Sequence, residues 1–370
     1  MKKMIFTAAM MLASAAAMAQ SGTFQIKGNV EGLPDSLVAM IGRKTENIDV
    51  KKKKFEFSKN FDKPQWVYLC DQKVIKSGAF SAIPVFAIPS ETIEMKGNFT
   101  GGVDIKGSKF YQEQDLMNEY KGQAYKDIKA LWKWYSDNVN DSNRDSIEKV
   151  VDERMEPLQK KYAADLLAYA KQHSDQECIA LLIDELDDVK DKETLISLMA
   201  DNVKNGRMKA YYEPIFERAK KRAEMEEKAK VVQASGVEAP DFTLNDINGK
   251  PFSLSSLRGK YVVIDFWGSW CIWCIKGMPK MKEYYEKYKG KFEILGVDCN
   301  DTEAKWKAAV EKHQLPWIHV YNPKGSDVLD KYAVQGFPTK IVIGPDGKIV
   351  KTIVGEDPAF YTLLDEVLGK

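Results

Sequence analysis

The feature that most constrains the fold is an apolar strand that leads directly into a pair of cysteines. KYVVIDFW, residues 260–267, is apolar almost throughout, as expected of a strand buried on both faces of a parallel sheet. Cys271 and Cys274 follow it, and a helical pattern comes next. Further apolar strands alternate with helical segments to the end of the chain, so the sequence from about Val237 predicts an α/β domain.

The position of the two cysteines favours redox chemistry. A thiolate at a helix N-terminus faces unpaired N–H groups and the positive end of the helix dipole, which lowers the thiol pKa. We therefore expect Cys271 to be partly exposed and to attack disulfides, and Cys274 to be more buried and to resolve the mixed disulfide. Asp265, inside the apolar strand, is costly there unless it has a function or a partner. It could take the proton from Cys274, or it could be a hydrogen-bonded structural aspartate.

A structural disulfide, a zinc site and a haem attachment site each fit the cysteine pair less well. A structural disulfide across so short a loop restricts the unfolded chain little. Zinc takes about four N or S ligands, and the sequence has no second closely spaced pair. Cys299 with His313 or His319 could supply the missing ligands only if the fold happened to bring them beside Cys271 and Cys274. Haem attachment needs a histidine directly after the second cysteine, where the chain has Ile275. The sequence therefore implies neither a metal nor a cofactor.

The N-terminus has the features of a secretory signal peptide. Lys2 and Lys3 precede an apolar run to about Met18, and Ala17-Met18-Ala19 is a small-x-small cleavage site. The run is too short for a membrane-spanning helix, which needs about 20 apolar residues. We predict that residues 1–19 are removed and that the mature chain is periplasmic or otherwise extracytoplasmic, where disulfides persist.

Changes in periodicity divide the rest of the chain. Residues 20–106 alternate like short strands and predict an antiparallel β-sandwich. Residues 107–232 predict an α-helical segment and a linker, and residues 233–370 form the α/β domain. The formal net charge of +1 gives no electrostatic reason to bind nucleic acid.

The motifs of the α/β domain resemble the thioredoxin superfamily. DFWGSWCIWC is followed by GFPT, residues 336–339, and by a PDGKIV hairpin. With the leading segment APDFTLNDINGKPFSLSSLRGK, residues 237–370 are similar to the extracytoplasmic TlpA/ResA-like thiol-disulfide oxidoreductases. The resemblance implies a thioredoxin-like fold for this part of the chain.

The same resemblance implies roles for individual residues. Cys271 is the nucleophile, Cys274 the resolving thiol, and Pro338 the cis-proline that closes the site. The backbone of Phe337 aligns the substrate chain, and Trp270 is a second candidate substrate-binding residue. Asp265 falls where thioredoxins carry a buried aspartate.

The sequence departs from these families in three places. Ile272-Trp273 lies between the cysteines instead of the thioredoxin Gly-Pro, so a redox potential does not carry over. Many TlpA/ResA-like proteins have a glutamate just before the proline that follows the CxxC, but Gly277-Met278-Pro279 has none, so Asp265 would have to supply any carboxylate. FEILGVD, residues 292–298, has no lysine to pair with Asp265, unlike thioredoxin.

The cysteine pair predicts a thiol-disulfide oxidoreductase that acts on protein disulfides or dithiols. The resemblance implies that it reduces disulfides by dithiol exchange and receives electrons from a membrane thiol carrier. The N-terminal segments would select clients, dock a redox partner or form a homo-oligomer. One alternative is a client-binding, chaperone-like module with secondary redox activity. Another is a thiol peroxidase, whose P-x-x-x-T-x-x-C pattern would need proline and threonine where the chain has Ile264 and Gly268.

Overall fold

The computed structural model describes residues 21–77, 81–140 and 142–369. These residues form two compact units, unit one up to residue 219 and unit two from residue 220. The expected signal peptide, residues 1–19, lies outside the described residues. Among the helices that are described, none is both long enough and apolar enough to cross a bilayer.

Short strands with alternating burial build the first part of unit one. In β1 (Gly22–Glu31), Phe24, Ile26, Gly28 and Val30 are buried, whereas the residues that alternate with them are exposed or half-buried. This is the period of a strand with one face on a core. The other strands are β2 (Leu37–Ile41), β3 (Lys44–Asn47), β4 (Val50–Lys51), β5 (Lys54–Phe61), β6 (Gln65–Asp71), β7 (Ala82–Ala87), β8 (Thr92–Asn98) and β9 (Gly102–Lys106).

The strands of unit one form two sheets, with orders β4-β5-β1-β8-β9 and β3-β2-β6-β7. β1 is antiparallel to β5 but parallel to β8. The expectation of a purely antiparallel sandwich is therefore wrong for this pair. Parallel neighbours need a crossover connection, and here the chain passes through the second sheet before β8 returns beside β1.

The helices of unit one share a core with these strands. Phe86 of β7 stacks on Phe110 with ring centroids 5.5 Å apart, and Tyr211 packs edge-on against Phe86 at 4.8 Å. A 3₁₀ segment, Glu177–Asp184, adds buried apolar side chains to the same core. The helices are α1 (Gln72–Lys76), α2 (Lys109–Tyr120), α3 (Gly122–Asn138), α4 (Arg144–Gln172), α5 (Val189–Leu198), α6 (Asp201–Lys204) and α7 (Lys209–Val232), the last of which continues into unit two.

Unit two is the predicted α/β domain. Its sheet has the order β11-β10-β14-β13-β12-β15-β16. The strands are β10 (Thr243–Asp246), β11 (Pro251–Ser253), β12 (Tyr261–Trp267), β13 (Phe292–Asp298), β14 (Ile318–Tyr321), β15 (Thr339–Ile343) and β16 (Ile349–Val354). The helices are α8 (Ile272–Lys287), α9 (Glu303–His313), α10 (Val328–Lys331) and α11 (Ala359–Leu368).

Strand β12 lies inside this sheet and is buried on both faces, as its apolar run predicts. It is parallel to β13 and antiparallel to β15. Val263 and Trp267 belong to the apolar cluster that contains both cysteines of the CxxC, and Ile264 and Phe266 belong to the cluster on the other face. By the alternation of a strand, Asp265 shares the face of the cysteines.

Candidate active site

The two cysteines lie where the sequence pattern places them, at the start of α8. Cys271 is the N-cap residue, its sulfur accepts the backbone N–H of Cys274 at 3.1 Å, and the two residues form a disulfide. Both are buried, with 5% and 4% of their surface exposed. The expectation that Cys271 is partly exposed is wrong for this disulfide form, because its sulfur is turned inward against the first turn of the helix.

The loop before Cys271 and the loop before β15 meet beside the disulfide. The peptide bond between Phe337 and Pro338 is cis. The rings of Trp270 and Phe337 pack edge-on with centroids 5.3 Å apart. The indole N–H of Trp270 donates to the carbonyl of Cys299 at 3.0 Å, which fixes the ring over the carboxyl end of β13. The structure thus brings both candidate substrate-binding residues together.

Large apolar side chains around the disulfide face solvent. Trp270, Ile272 and Trp273 are 49%, 67% and 60% exposed. The ammonium of Lys276 lies 4.5 Å above the Trp273 ring. Exposed apolar groups clustered in this way mark an interaction surface. We call Trp270, Ile272 and Trp273 the apolar rim.

Two aspartates that the sequence analysis did not single out lie behind the loop that leads to Cys271. Asp301 accepts the backbone N–H and the hydroxyl of Ser269 at 2.6 and 2.8 Å. Asp298 is fully buried, and burial together with the nearby charge of Asp301 raises its pKa to about 8. Burial thus favours the protonated form of Asp298, and Asp301 holds the loop in place.

Asp265 is buried and has a raised pKa. It is 5% exposed, and its Oδ1 has no hydrogen-bond partner among the described residues. Burial raises its pKa to about 6, the positive charge of Lys340 opposes this, and the negative charge of Glu356 adds to it. An acid with this pKa can accept and release a proton near neutral pH.

Lys340 and Glu356 are charged residues of the site that the sequence analysis missed. Lys340 of β15 stands opposite Asp265 of β12 in the strand register and is 1% exposed. Its ammonium lies 2.7 Å from the Glu356 carboxylate. A lysine does lie near Asp265, and its charge acts on that carboxyl, but it comes from the neighbouring antiparallel strand and not from 292–298. The available signal was a charged residue inside the apolar run TKIVIG, the same signal that singled out Asp265.

The remaining cysteines and histidines give no second reactive centre. Cys299 is fully buried, its thiol lies 3.3 Å from the carbonyl of Val297, and burial raises its pKa. Cys70 and Cys178 are buried and unpaired in the described part of the chain. Burial lowers the pKa of His319 to about 4. Within the described ranges, no three His, Cys, Asp or Glu residues group closely enough to hold a metal ion.

Comparison with known proteins places unit two. The AhpC/TSA family matches residues 235–352. The thiol-disulfide oxidoreductase ResA of Bacillus cereus is 43% identical over 122 residues, which are 33% of this chain and 70% of the relative. ResA of Bacillus subtilis is 36% identical over 123 residues, 33% of this chain and 68% of the relative. A solved thioredoxin domain of a Bacteroides vulgatus thiol-disulfide oxidoreductase is 36% identical, covering 36% of this chain and 98% of its own, with a TM-score of 0.35.

The central strand, the cysteine-capped helix and the matches to thiol-disulfide oxidoreductases make unit two a thioredoxin-like domain. The identity to the ResA proteins extends over more than two thirds of their length. The chain belongs to the ResA-like thiol-disulfide oxidoreductases of the thioredoxin superfamily.

Proposed function

We propose that this enzyme works outside the cytoplasm and reduces protein disulfides through Cys271 and Cys274. The observation that carries the proposal is the position of Cys271, whose sulfur accepts a helix N-terminal N–H beside the exposed apolar rim. A sulfur held there is stabilised as a thiolate once the disulfide is reduced.

The reaction proceeds in two exchanges. The Cys271 thiolate attacks one substrate sulfur, the substrate S–S bond breaks, and the released sulfur takes a proton. Cys274 then gives its proton to the carboxylate of Asp265, and its thiolate attacks the Cys271 sulfur of the mixed disulfide. The Cys271–Cys274 disulfide forms, and the second substrate sulfur leaves. Two electrons have passed to the substrate, so a thiol donor must return them.

Polypeptide disulfides are the substrates that the surroundings of Cys271 favour. The apolar rim offers contact area to the residues that flank a client cysteine, and the edge-on pair of Trp270 and Phe337 lies beside it. The backbone of Phe337, next to the cis bond of Pro338, aligns the client segment. A small-molecule disulfide would leave most of this surface uncovered.

The expected signal peptide supports a periplasmic location, with cleavage near Ala19. There a membrane thiol carrier would reduce the oxidised enzyme, because each turnover leaves Cys271 and Cys274 as a disulfide. The segments at residues 20–106 and 107–232 are proposed to select clients, dock that carrier or form a homo-oligomer.

A groove in unit one supports client selection. A cavity of about 1140 Å³ is lined by aromatic and aliphatic side chains, among them Trp66 and Tyr68. Its lining also includes acidic residues, such as Asp104, Asp115 and Glu119. Burial and these acidic neighbours raise the pKa of Asp115. The groove therefore suits an apolar polypeptide segment with basic residues.

A trapping experiment tests the function. In the full mature chain, C274S removes the resolving thiol, so Cys271 should remain joined to a peptide that carries one intramolecular disulfide, and C271S should form no adduct. Mass spectrometry of the acid-quenched mixture identifies the joined cysteines. Trapping by neither variant, together with consumption of hydrogen peroxide by the wild type, would replace the proposal with a thiol peroxidase.

A further inference from the structure

The carboxylate of Glu356 lies against the backbone of α8, one helical turn after Cys274. Gly277 is the residue it contacts. A Cβ atom at position 277 would lie 2.6 Å from Oε1 of Glu356 and closer still to its Oε2 and Cδ. Real Cβ atoms do not approach other atoms so closely, so only glycine at 277 leaves room for this carboxylate.

Several contacts hold Glu356 in this place. Its Oε2 accepts from the buried ammonium of Lys340 at 2.7 Å, and its Oε1 accepts from the Tyr361 hydroxyl at 2.9 Å. The Tyr361 hydroxyl also lies 3.4 Å from the carbonyl of Gly277. The side chain of Glu356 is 18% exposed, so little water screens its charge. A mobile surface glutamate would have none of these contacts.

The same contacts connect Glu356 to the buried aspartate. Lys340 is the cross-strand neighbour of Asp265, so one lysine lies between two carboxylates. With Glu356 ionised, the ammonium is already paired and neutralises Asp265 only in part. Without Glu356, the full positive charge of Lys340 would favour ionised Asp265 and weaken it as a base. The other titratable groups around these carboxylates are Cys274, Lys280, Cys299 and Tyr361.

We propose that Glu356 is a positioning residue for the resolving step. By holding Lys340, it keeps Asp265 basic enough to take the proton of Cys274. This inference rests on the proposed function, because it concerns the second exchange. In that step the Cys274 S–H bond breaks and its proton passes to Asp265. The sulfur's electron pair forms the bond to Cys271 while the substrate thiolate leaves.

The test is the pH dependence of resolution in a single turnover of the full mature chain. Reduced enzyme is mixed with a peptide that carries one intramolecular disulfide. The mixed disulfide is quenched with acid between pH 5 and 9 and quantified by mass spectrometry. E356Q keeps the shape of the side chain and removes its charge. The acid limb of the profile, which is the pH range where the rate of resolution falls on acidification, should therefore move to lower pH by about one unit. E366Q removes the same charge from an exposed position of α11 and should leave the limb in place.

A charge relocation gives a second readout. E356A empties the space beside Gly277, and G277E in that background sends a carboxylate from the helix into the same region. We expect E356A to show the displaced limb and G277E/E356A to restore the wild-type limb. A purely structural role of Glu356 would change the melting temperature without moving the limb.

An E356Q profile identical to that of the wild type would overturn the inference, as would a folded G277E/E356A chain that keeps the E356A profile. Should G277E/E356A not fold, E356Q against E366Q decides alone. In each of these cases the wild type still reduces the peptide, so the proposed function stands. Failure of the wild type to form any mixed disulfide would instead remove the proposed function itself.

Discussion

Asp265 and Lys340 are direct cross-strand neighbours in the middle of the C-terminal sheet, and each is at least 95% buried. Apolar residues of the same size would fill this space without desolvating two charges. The cost of burying both charges agrees with the proposed role of Asp265 in the chemistry of the cysteines on the same face of β12. The pair also gives stability a pH dependence that can be measured.

Asp265 should make the folded protein less stable as the pH rises. Its pKa is raised from 3.8 to about 6, so between these values the folded chain keeps a proton that the unfolded chain releases. The free energy of unfolding then falls by about 3 kcal/mol as the pH rises through this window. D265N lacks this loss. Chemical denaturation should therefore show that the free energy of unfolding of D265N, relative to that of the wild type, increases between pH 4 and pH 7.

D327N is the matched control, because it removes an exposed aspartate that directly precedes α10. Its stability relative to the wild type should not change over the same pH range. A constant difference between D265N and the wild type would show that the Asp265 pKa is not raised.

Removing the charge of Lys340 should act in the opposite direction to E356Q. The positive charge of Lys340 lowers the Asp265 pKa, so K340M raises it and moves the acid limb of the resolution rate to higher pH. K340M also leaves Glu356 and Asp265 without a cation and should cost about 3–5 kcal/mol of stability. The limb is measured by single turnover and the stability by denaturation. A limb that moves to lower pH would contradict this assignment of charges.

Alanine at position 277 should destabilise the protein only while Glu356 is present. Inside a helix, glycine to alanine usually gains up to about 1 kcal/mol. Here the added methyl group overlaps the Glu356 carboxylate, and such overpacking costs about 1–3 kcal/mol. In the E356A background, G277A should be neutral or stabilising. A double-mutant cycle by thermal unfolding measures the coupling, and additive effects would mean that the two residues do not touch.

Truncating the aromatic pair beside the disulfide should weaken binding of polypeptides more than of small disulfides. W270A and F337A remove apolar area that a client segment would cover, so KM for a disulfide-bonded peptide should rise about tenfold. The rate with oxidised glutathione should change little. W132A, an exposed tryptophan of α3 in unit one, is the control. Equal losses with both substrates would mean that Trp270 and Phe337 hold the cysteines in their conformation and do not bind the client.

The sequence was sufficient to predict the parts of the site that are local in the chain. An apolar strand followed by Cys271 at a helix start is readable because burial on both faces leaves a continuous apolar run. The charges around Asp265 were not predicted, because Lys340 and Glu356 reach it through strand register and a loop more than 70 residues away. A lysine inside the apolar run TKIVIG was a signal for one of them.

The pairing of β1 and the burial of Cys271 differ from the sequence-based expectations for equally physical reasons. Alternating burial in β1 is the same whether its neighbour is parallel or antiparallel, so the parallel pairing with β8 could not be inferred from it. Cys271 was expected to be exposed because it lies at a helix N-terminus. Its sulfur instead turns inward and accepts the N–H of Cys274.

The most direct test of the account is a redox titration of the full mature chain against glutathione or dithiothreitol, with thiol labelling to identify the titrating residues. The account predicts one reversible two-electron couple, formed by Cys271 and Cys274 and absent from C271S. As a reductase, the enzyme should have a reduction potential close to that of thioredoxin, about −270 mV. A potential near −120 mV would make the protein an oxidant and reverse the proposed electron flow. Absence of any reversible couple would leave the cysteine pair structural and contradict the account.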